Sequence, residues 1–371
     1  MNGHLITVDG TKREMSVDTV RHLLESGDRF WLDVDGLDEE SSQQLLRDVF
    51  GFHPLAVEDA EHFGQRPKLD IYDDFALLVV FGATAGGQLV EVHCFYTERY
   101  LVTVHHDPCP HLSELAERWA RRPMPHPDHV MLLYRVVDTL VDGYFPVLSR
   151  IDDDIDELED EILRRPTDEQ LGRLFDMKRS LIALRKVVTP QRDLFATLVS
   201  GSDALPGMTP DAERYFRDLY DHLIRISDLV DSYRDLMSGA LDTHLSTVSN
   251  RLNVVMKQLA IIATVFLPMS FLTGFFGQNF GWMVNRLVGL PVFAAAGIGL
   301  QLVVAGLLLG LFRRRGWLGS TGTVPAVLPS DRPPVPASRR WHVVHPGDGR
   351  RPSPAPAPSG AGAPRDDAPA A

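Results

Sequence analysis

Asp218, Asp221, Asp228, Asp235 and Asp242 stand on one uninterrupted helical pattern, the last four at seven-residue intervals. Seven residues is almost two turns of an α-helix, so those four carboxylates share a face. Such a column is either a solvated surface or a place where cations gather between neighbouring copies of the chain. Farther along the pattern, Asn253, Met256, Ala260, Ala263, Leu267, Ser270 and Gly274 recur at steps of three and four. This stripe, mostly small or uncharged, suits tight helix packing or a pore wall along which a hydrated ion slides. Just beyond it lies Gly277-Gln278-Asn279, where glycine permits a tight turn and two amides offer neutral carbonyl oxygens to an ion's water shell. Mg²⁺ gives up its waters reluctantly, so neutral groups release a hydrated ion that a carboxylate cage would trap.

A second set, His93, Cys94, His105, His106, Asp107, Cys109 and His111, has the residue types of a transition-metal centre. Adjacent residues of a strand point to opposite faces, so His105 and His106 do not easily share one ion. No phosphate-cradling glycine loop and no nucleophile elbow occurs in the sequence, and the chain is not expected to be an enzyme.

Two apolar runs must position the stripe and its loop. Leu259 to Phe276 and Leu287 to Phe312 contain no Asp, Glu, Lys or Arg, and in the second only Gln301 is polar. Each approaches or exceeds the ~20 helical residues that cross a ~30 Å hydrocarbon layer. Arg251 and Lys257 precede the first span and Arg313, Arg314 and Arg315 follow the second, so both chain ends are expected in the cytoplasm. Two helices cannot enclose an aqueous pore, and a pore requires several copies of the chain.

Of the 371 residues, roughly two thirds precede the first span, and the net charge of −13 is concentrated there. Such a surface repels nucleic acid and attracts cations. Two cysteines make no disulfide framework, and polar Met1 to Asp18, with no apolar run, is expected to carry no cleavable signal.

Residues 1–125 alternate short strands (Phe30 to Val34, Phe75 to Phe81, Leu89 to Tyr96, Tyr100 to His105) with amphipathic helices (Glu39 to Phe50, Leu112 to Arg121), predicting an α/β domain. Residues 126–210 predict an antiparallel helical hairpin: Met131 to Arg165, carrying an acidic run from Asp152 to Glu161, a break at Pro166, then Thr167 to Val199. Residues 211–276 predict one stalk helix of about 90 Å continuing into the membrane. An external loop (277–286), the second span (287–312) and a basic flank with a Pro/Ala-rich tail lacking fixed structure (313–371) complete the chain.

Several stretches carry a family resemblance. Met256-Lys257, Ile261 through Pro268, Leu272 through Phe280, and Arg313-Arg314-Arg315-Gly316-Trp317-Leu318, with Phe52-His53-Pro54-Leu55, Glu58-Asp59, Gln65-Arg66-Pro67-Lys68 and Asp138 to Tyr144, resemble the CorA family of divalent metal-ion transporters. The resemblance implies an α+β membrane protein with an N-terminal cytosolic α/β/α domain, a long helical funnel and two C-terminal transmembrane helices. It further implies a homopentameric channel in the lipid of the plasma (inner) membrane, with Mg²⁺ as transported and regulatory ion and no organic cofactor. Asn279 then meets hydrated Mg²⁺ at the entrance. Asn253, Met256, Leu259, Leu267 and Ser270 match pore positions, Met256 and Leu259 lying at the hydrophobic constriction and Asp242 in an acidic ring below. Glu58, Asp59, Asp138 and Asp218 match positions where cytosolic Mg²⁺, bound between subunits, keeps the channel shut. The family's usual loop reads Gly-Met-Asn, whereas this chain has Gln278, and Leu267 replaces a commoner Met. Zn²⁺, Co²⁺ and Ni²⁺ therefore stay open beside Mg²⁺, and a non-conducting membrane-anchored scaffold is the remaining reading.

Overall fold

The computed structural model describes residues 2–37, 39–122, 129–201, 205–278, 281, 285 and 289–318. Asn279, most of the connection between the apolar runs, and the tail from residue 319 lie outside them.

Strands β1 (Asn2–Thr7), β2 (Lys12–Arg13), β3 (Phe30–Asp35), β4 (Lys68–Ile71), β5 (Ala76–Ala83), β6 (Leu89–Tyr96) and β7 (Tyr100–His105) form one sheet in the order β2-β1-β3-β7-β6-β5-β4. β3 and β7 run parallel, and every other pair is antiparallel. Strands buried on both faces read as continuous apolar runs. In β5, Ala76, Leu78 and Val80 enter one core while Leu77, Val79 and Phe81 enter the other. The sequence reading located β3, β5, β6 and β7 and missed β1, β2 and β4, which are short or rich in polar residues.

Helices α1 (Val17–Ser26), α2 (Glu39–Ser42, continued by a π-helical segment Gln43–Val49) and α3 (Pro54–Glu61) fill one face. Against the other pack α4 (Pro110–Arg121), α5 (His129–Asp142), α6 (Tyr144–Arg164), α7 (Asp168–Val199) and α8 (Pro210–Phe276). The result is an α/β/α layering. α7 begins with a reciprocal cap in which the Thr167 hydroxyl accepts from the Gln170 N–H and the Gln170 side chain accepts from the Thr167 N–H.

One sequence expectation is corrected. Met131 to Arg165 reads as a continuous helix, but the structure divides it at Gly143 into α5 and α6. Gly143 has an ordinary right-handed φ of −59°. Its reason is space, because a Cβ there would lie 2.5 Å from the Ala83 carbonyl oxygen at the end of β5.

α8 is 67 residues long, about 100 Å at 1.5 Å per residue. Thr209 caps it, accepting from the Ala212 N–H at 3.2 Å, and Pro210 occupies the first turn, where its missing N–H costs nothing. Phe216, Leu219, Leu223, Ile226, Val230, Tyr233, Met237 and Ala240 are buried against the domain, and burial along α8 ends at His244. Beyond that point its side chains are no longer buried, although Arg251 still donates to the Arg164 carbonyl at 3.3 Å, and the helix continues through Pro268. α9 (Leu290–Val292), a π-helical stretch Phe293–Gly299 and α10 (Leu300–Arg314) make a second apolar helix. Both α8 and the Leu290–Arg314 helix are long and apolar enough to cross a membrane.

Gly143→Ala is expected to lower stability by about 1–3 kcal/mol through overpacking. Exposed Gly172 inside α7 has nothing within 4 Å of its Cβ position. Gly172→Ala is therefore expected to raise stability by up to ~1 kcal/mol. Thermal unfolding of the two variants in detergent should give shifts of opposite sign.

Candidate cation pathway and regulatory cluster

At ~100° per residue, Asp242, Asn253, Met256, Leu259, Ala263, Leu267 and Ser270 fall within roughly one third of the circumference of α8. All seven are exposed in the single chain, the large apolar ones at 68% (Met256), 66% (Leu259) and 75% (Leu267). An apolar surface of this extent is stable only against lipid or other copies. Beside it an open groove of about 870 Å³ is lined by Ala263, Phe266, Leu267, Pro268, Ser270 and Phe271. Pro268 has no N–H to give the Thr264 carbonyl, and the Thr264 hydroxyl donates to the Ala260 carbonyl at 2.7 Å.

Gly277 closes α8 by donating its N–H to the Thr273 carbonyl at 3.0 Å, and Gln278 follows with an N–H bond to the Phe275 carbonyl at 3.3 Å. A Cβ at Gly277 would come within 3.1 Å of that Thr273 oxygen, so the turn favours glycine. Gln278 is exposed, and Asn279 lies outside the described residues. At the opposite end, Arg313 and Arg314 form the last turn of α10 and Arg315 follows it. The Trp317 ring stacks on Phe312 with centroids 5.6 Å apart, and the Lys257 ammonium of α8 sits 5.8 Å from the Trp317 centroid. This cation–π contact ties the basic end of one span to the other.

The acidic positions divide by layer. Asp138 on α5 faces Asp142, one turn on, and His222 on α8, with ligand atoms all within 4.8 Å of one another. His222 Nε2 is also 3.9 Å from the Asp218 carboxylate. Asp138, Asp142, His222 and Asp218 thus form one cluster with the oxygen and imidazole donors a divalent cation takes. Burial, with Asp142 adding to it, pushes the Asp138 carboxyl up to about 6 against the opposing pull of His222, Arg135 and the Tyr134 hydroxyl.

Glu58 and Asp59 sit on α3, which packs on the other face of the sheet. Glu58 is exposed. Asp59 is held by Lys68, whose ammonium lies 2.6 Å from Asp59 and 2.9 Å from Asp70. Partial burial disfavours the Lys68 charge, but the bonds to Asp59 and Asp70 outweigh it and raise its pKa above the ordinary lysine value. Asp142, His222 and Lys68 were not among the site residues expected from the sequence, although Lys68 and Asp142 lie in stretches that carry the resemblance. The available signal was spacing: Asp142 follows Asp138, and His222 follows Asp218, by four residues on adjacent helices.

The histidine set does not gather around a shared centre. His105 is buried, with Nδ1 2.8 Å from the Asp107 carbonyl and Nε2 3.5 Å from Asp33, whereas His106 is exposed. His93 Nε2 pairs with Glu91 at 2.7 Å, and Glu91 also accepts the Gly64 and Gln65 N–H groups. Burial raises the thiol pKa of Cys94 and Cys109, the latter to about 11, which keeps both inert.

The family model described as CorA-like Mg²⁺ transporter protein matches residues 26–314. The cobalt/magnesium transport protein CorA of Thermotoga maritima is 35% identical over 311 residues, 81% of this chain and 87% of its own length. The putative metal ion transporter YfjQ of Bacillus subtilis is 34% identical over 292 residues, 78% and 89% respectively. The zinc transport protein ZntB of Yersinia pseudotuberculosis is 26% identical over 317 residues, 83% and 93%. Among solved structures, the complete CorA magnesium transporter from Methanocaldococcus jannaschii shares the fold with a TM-score of 0.72 at 22% identity, covering 86% of this chain and 99% of that one.

The Asp138 environment fixes a sign for pH dependence. An acid whose folded pKa lies above its unfolded value takes up a proton on folding between about pH 4 and pH 6, so its contribution to stability falls as pH rises through that window. In the presence of a chelator, Asp138→Asn is expected to be more stable than the parent above pH 6, by on the order of 2 kcal/mol, with the gap closing near pH 4. Thermal midpoints at several pH values check this. Added Mg²⁺ should raise the midpoint of the parent at pH 7 more than that of the variant.

Proposed function

The chain belongs to the family of CorA-like Mg²⁺ transporter proteins, and on that premise we propose that it is a homopentameric channel for Mg²⁺ entry, shut by cytosolic Mg²⁺. That it is a divalent metal transporter follows from the family; the ion, the drive and the gate are our reading. The observation that carries it is α8, one helix that supplies His222 to the cluster with Asp138 and Asp142 and continues into an apolar segment with an uncharged exposed stripe. An element of this kind can convert cation binding in the cytosol into movement of a pore wall.

The drive is the inward-negative membrane potential, worth ~4.6 kcal/mol for a doubly charged ion per 100 mV. The entrance is Gly277-Gln278-Asn279, at the outer face of the plasma membrane, with both termini in the cytoplasm. The ion then passes Ser270, Leu267, Ala263, the constriction at Leu259 and Met256, Asn253, and the acidic ring of Asp242. Neutral amides and small side chains leave its water shell in place.

The gate follows from the layering. Glu58 and Asp59 lie across the sheet from Asp138 and Asp218 in one subunit. They meet as a shared ion site when one subunit's α3 abuts the next subunit's α5 and α8. Mg²⁺ bridging them holds neighbours together, and its loss leaves carboxylates that repel. Gln278, where the family's usual loop has Met, and the likeness to ZntB favour Zn²⁺ as the second reading for the ion.

Uptake by proteoliposomes containing the full chain tests both readings. Potential-driven Mg²⁺ entry is expected; proton-dependent Zn²⁺ entry would transfer the protein to the second reading, and no flux of either ion would leave a membrane-anchored scaffold. Asn279→Ala is expected to abolish flux with the oligomer intact. Asp218→Ala should weaken inhibition by internal Mg²⁺ severalfold, and an unchanged inhibition curve would remove Asp218 from the gate.

A further inference from the structure

We infer that Gln301 and Thr273 are positioning residues for the entrance loop, a polar latch that fixes the end of α8 against the second span. Gln301 is the only polar side chain between Leu287 and Phe312. Its Nε2 donates to the Thr273 hydroxyl oxygen at 2.8 Å, joining α10 to α8. The Thr273 hydroxyl in turn donates to the Met269 carbonyl at 2.9 Å. The Thr273 carbonyl receives the Gly277 N–H that closes the helix. Thr273 is thus bonded through its side chain to the second span and through its main chain to the first residue of Gly277-Gln278-Asn279.

Physical cost separates this latch from incidental packing. A threonine on a membrane helix satisfies its hydroxyl on its own backbone, as Thr264 and Thr273 both do here. A glutamine amide, with two donors and an acceptor, cannot satisfy all of them on its own, already bonded helix backbone, and in hydrocarbon it gains from a partner on another helix. A leucine at position 301 would cost the second span nothing in lipid, so the amide makes sense through the bond it forms. The π-helical stretch Phe293–Gly299 ends just before Gln301. Its wider turn resets the helical phase of α10 close to where the bond is made. Thr273 is also one turn before Gly277, so a shift of the α8 end relative to α10 moves the loop directly.

This inference rests on the reading of Gly277-Gln278-Asn279 as the entrance of the ion pathway. The test compares Gln301→Leu, Thr273→Val, the double variant, Thr273→Ser and Asn279→Ala in proteoliposomes of the full chain. Oligomer content is measured for each, and Mg²⁺ and Ni²⁺ uptake are expressed per assembled oligomer. Gln301→Leu and Thr273→Val are each expected to lower Mg²⁺ uptake by between about threefold and tenfold, the range of one interhelical hydrogen bond in a membrane. They should also change the Mg²⁺ to Ni²⁺ ratio, which a loss of folded protein alone would leave constant. The double variant should be no worse than either single one, since both remove the same bond. Thr273→Ser, which keeps the hydroxyl, should retain parental flux and ratio. Parental flux and ratio in both single variants, or losses that multiply in the double variant, would overturn the inference while an inactive Asn279→Ala left the entrance reading standing. Parental flux in Asn279→Ala would remove the entrance reading and the latch with it. Should Gln301→Leu fail to assemble, Thr273→Val against Thr273→Ser carries the same comparison.

Discussion

The hydrogen-bond ladder of α8 is the constraint on which the rest depends. Over 67 residues it keeps every turn in phase, so a residue at the domain end and one at the membrane end hold a fixed angular relation. Water can satisfy backbone groups along the exposed stalk, but hydrocarbon cannot, and within the membrane the ladder must close on itself. Pro268 is the one described place in that segment where a donor is missing. It lies among the residues lining the open groove, at the level of the stripe, where neighbouring copies meet in the proposed assembly. A helix weakened at one turn and continuous elsewhere bends at that turn, which confines deformation of the wall to the half nearer the loop.

The sheet imposes the second constraint. Because β5 is apolar on both faces and β6 and β7 are buried almost throughout, helices must cover both faces, and the acidic residues those helices carry are separated by the thickness of the sheet. A site that draws on both layers is incomplete in one chain. The two halves also differ in electrostatic state. Asp59 already has a cation in Lys68, whereas Asp138 is crowded by Asp142 and burial. A divalent ion arriving between them relieves repulsion on one side and competes with an ammonium on the other. In the proposed gate these two effects oppose each other, which lowers the net affinity of the shared site.

Much of this was legible in the sequence where one physical effect acts alone. The long helix announces itself because apolar residues at steps of three and four continue without a proline from Asp211 to Pro268. The four central strands do so through β-branched and aromatic content. The break at Gly143 was illegible because the helical pattern continues across it, and its cause is a carbonyl of β5 some sixty residues earlier in the chain. β2 has two residues and no apolar one, so no periodicity existed to read. Asp138 and Asp218 could be placed by resemblance, and spacing sets Asp142 one turn from the first and His222 one turn from the second. That the two pairs meet was illegible, because it depends on α5 packing on α8, a contact fixed by the tertiary fold.

The division of charge along the chain bears on how an ion crosses. Carboxylates on α8 stop at Asp242, and from Leu259 to Phe276 the helix offers hydroxyls, small groups and hydrocarbon only. None of these replaces the inner water shell of Mg²⁺, whose removal costs far more than two or three hydroxyl contacts return. In the proposed pathway an ion following this stripe keeps its water, and the wall acts on the hydrated ion by shape and by weak hydrogen bonds. Selection then belongs to the few places where groups of fixed geometry meet that shell. In the proposed pathway the sequence Gly277-Gln278-Asn279 is the richest of these in polar groups. A helix end held by a hydrogen bond from a second helix, as Thr273 is by Gln301, keeps the geometry of the residues that follow it in a way that a free end does not.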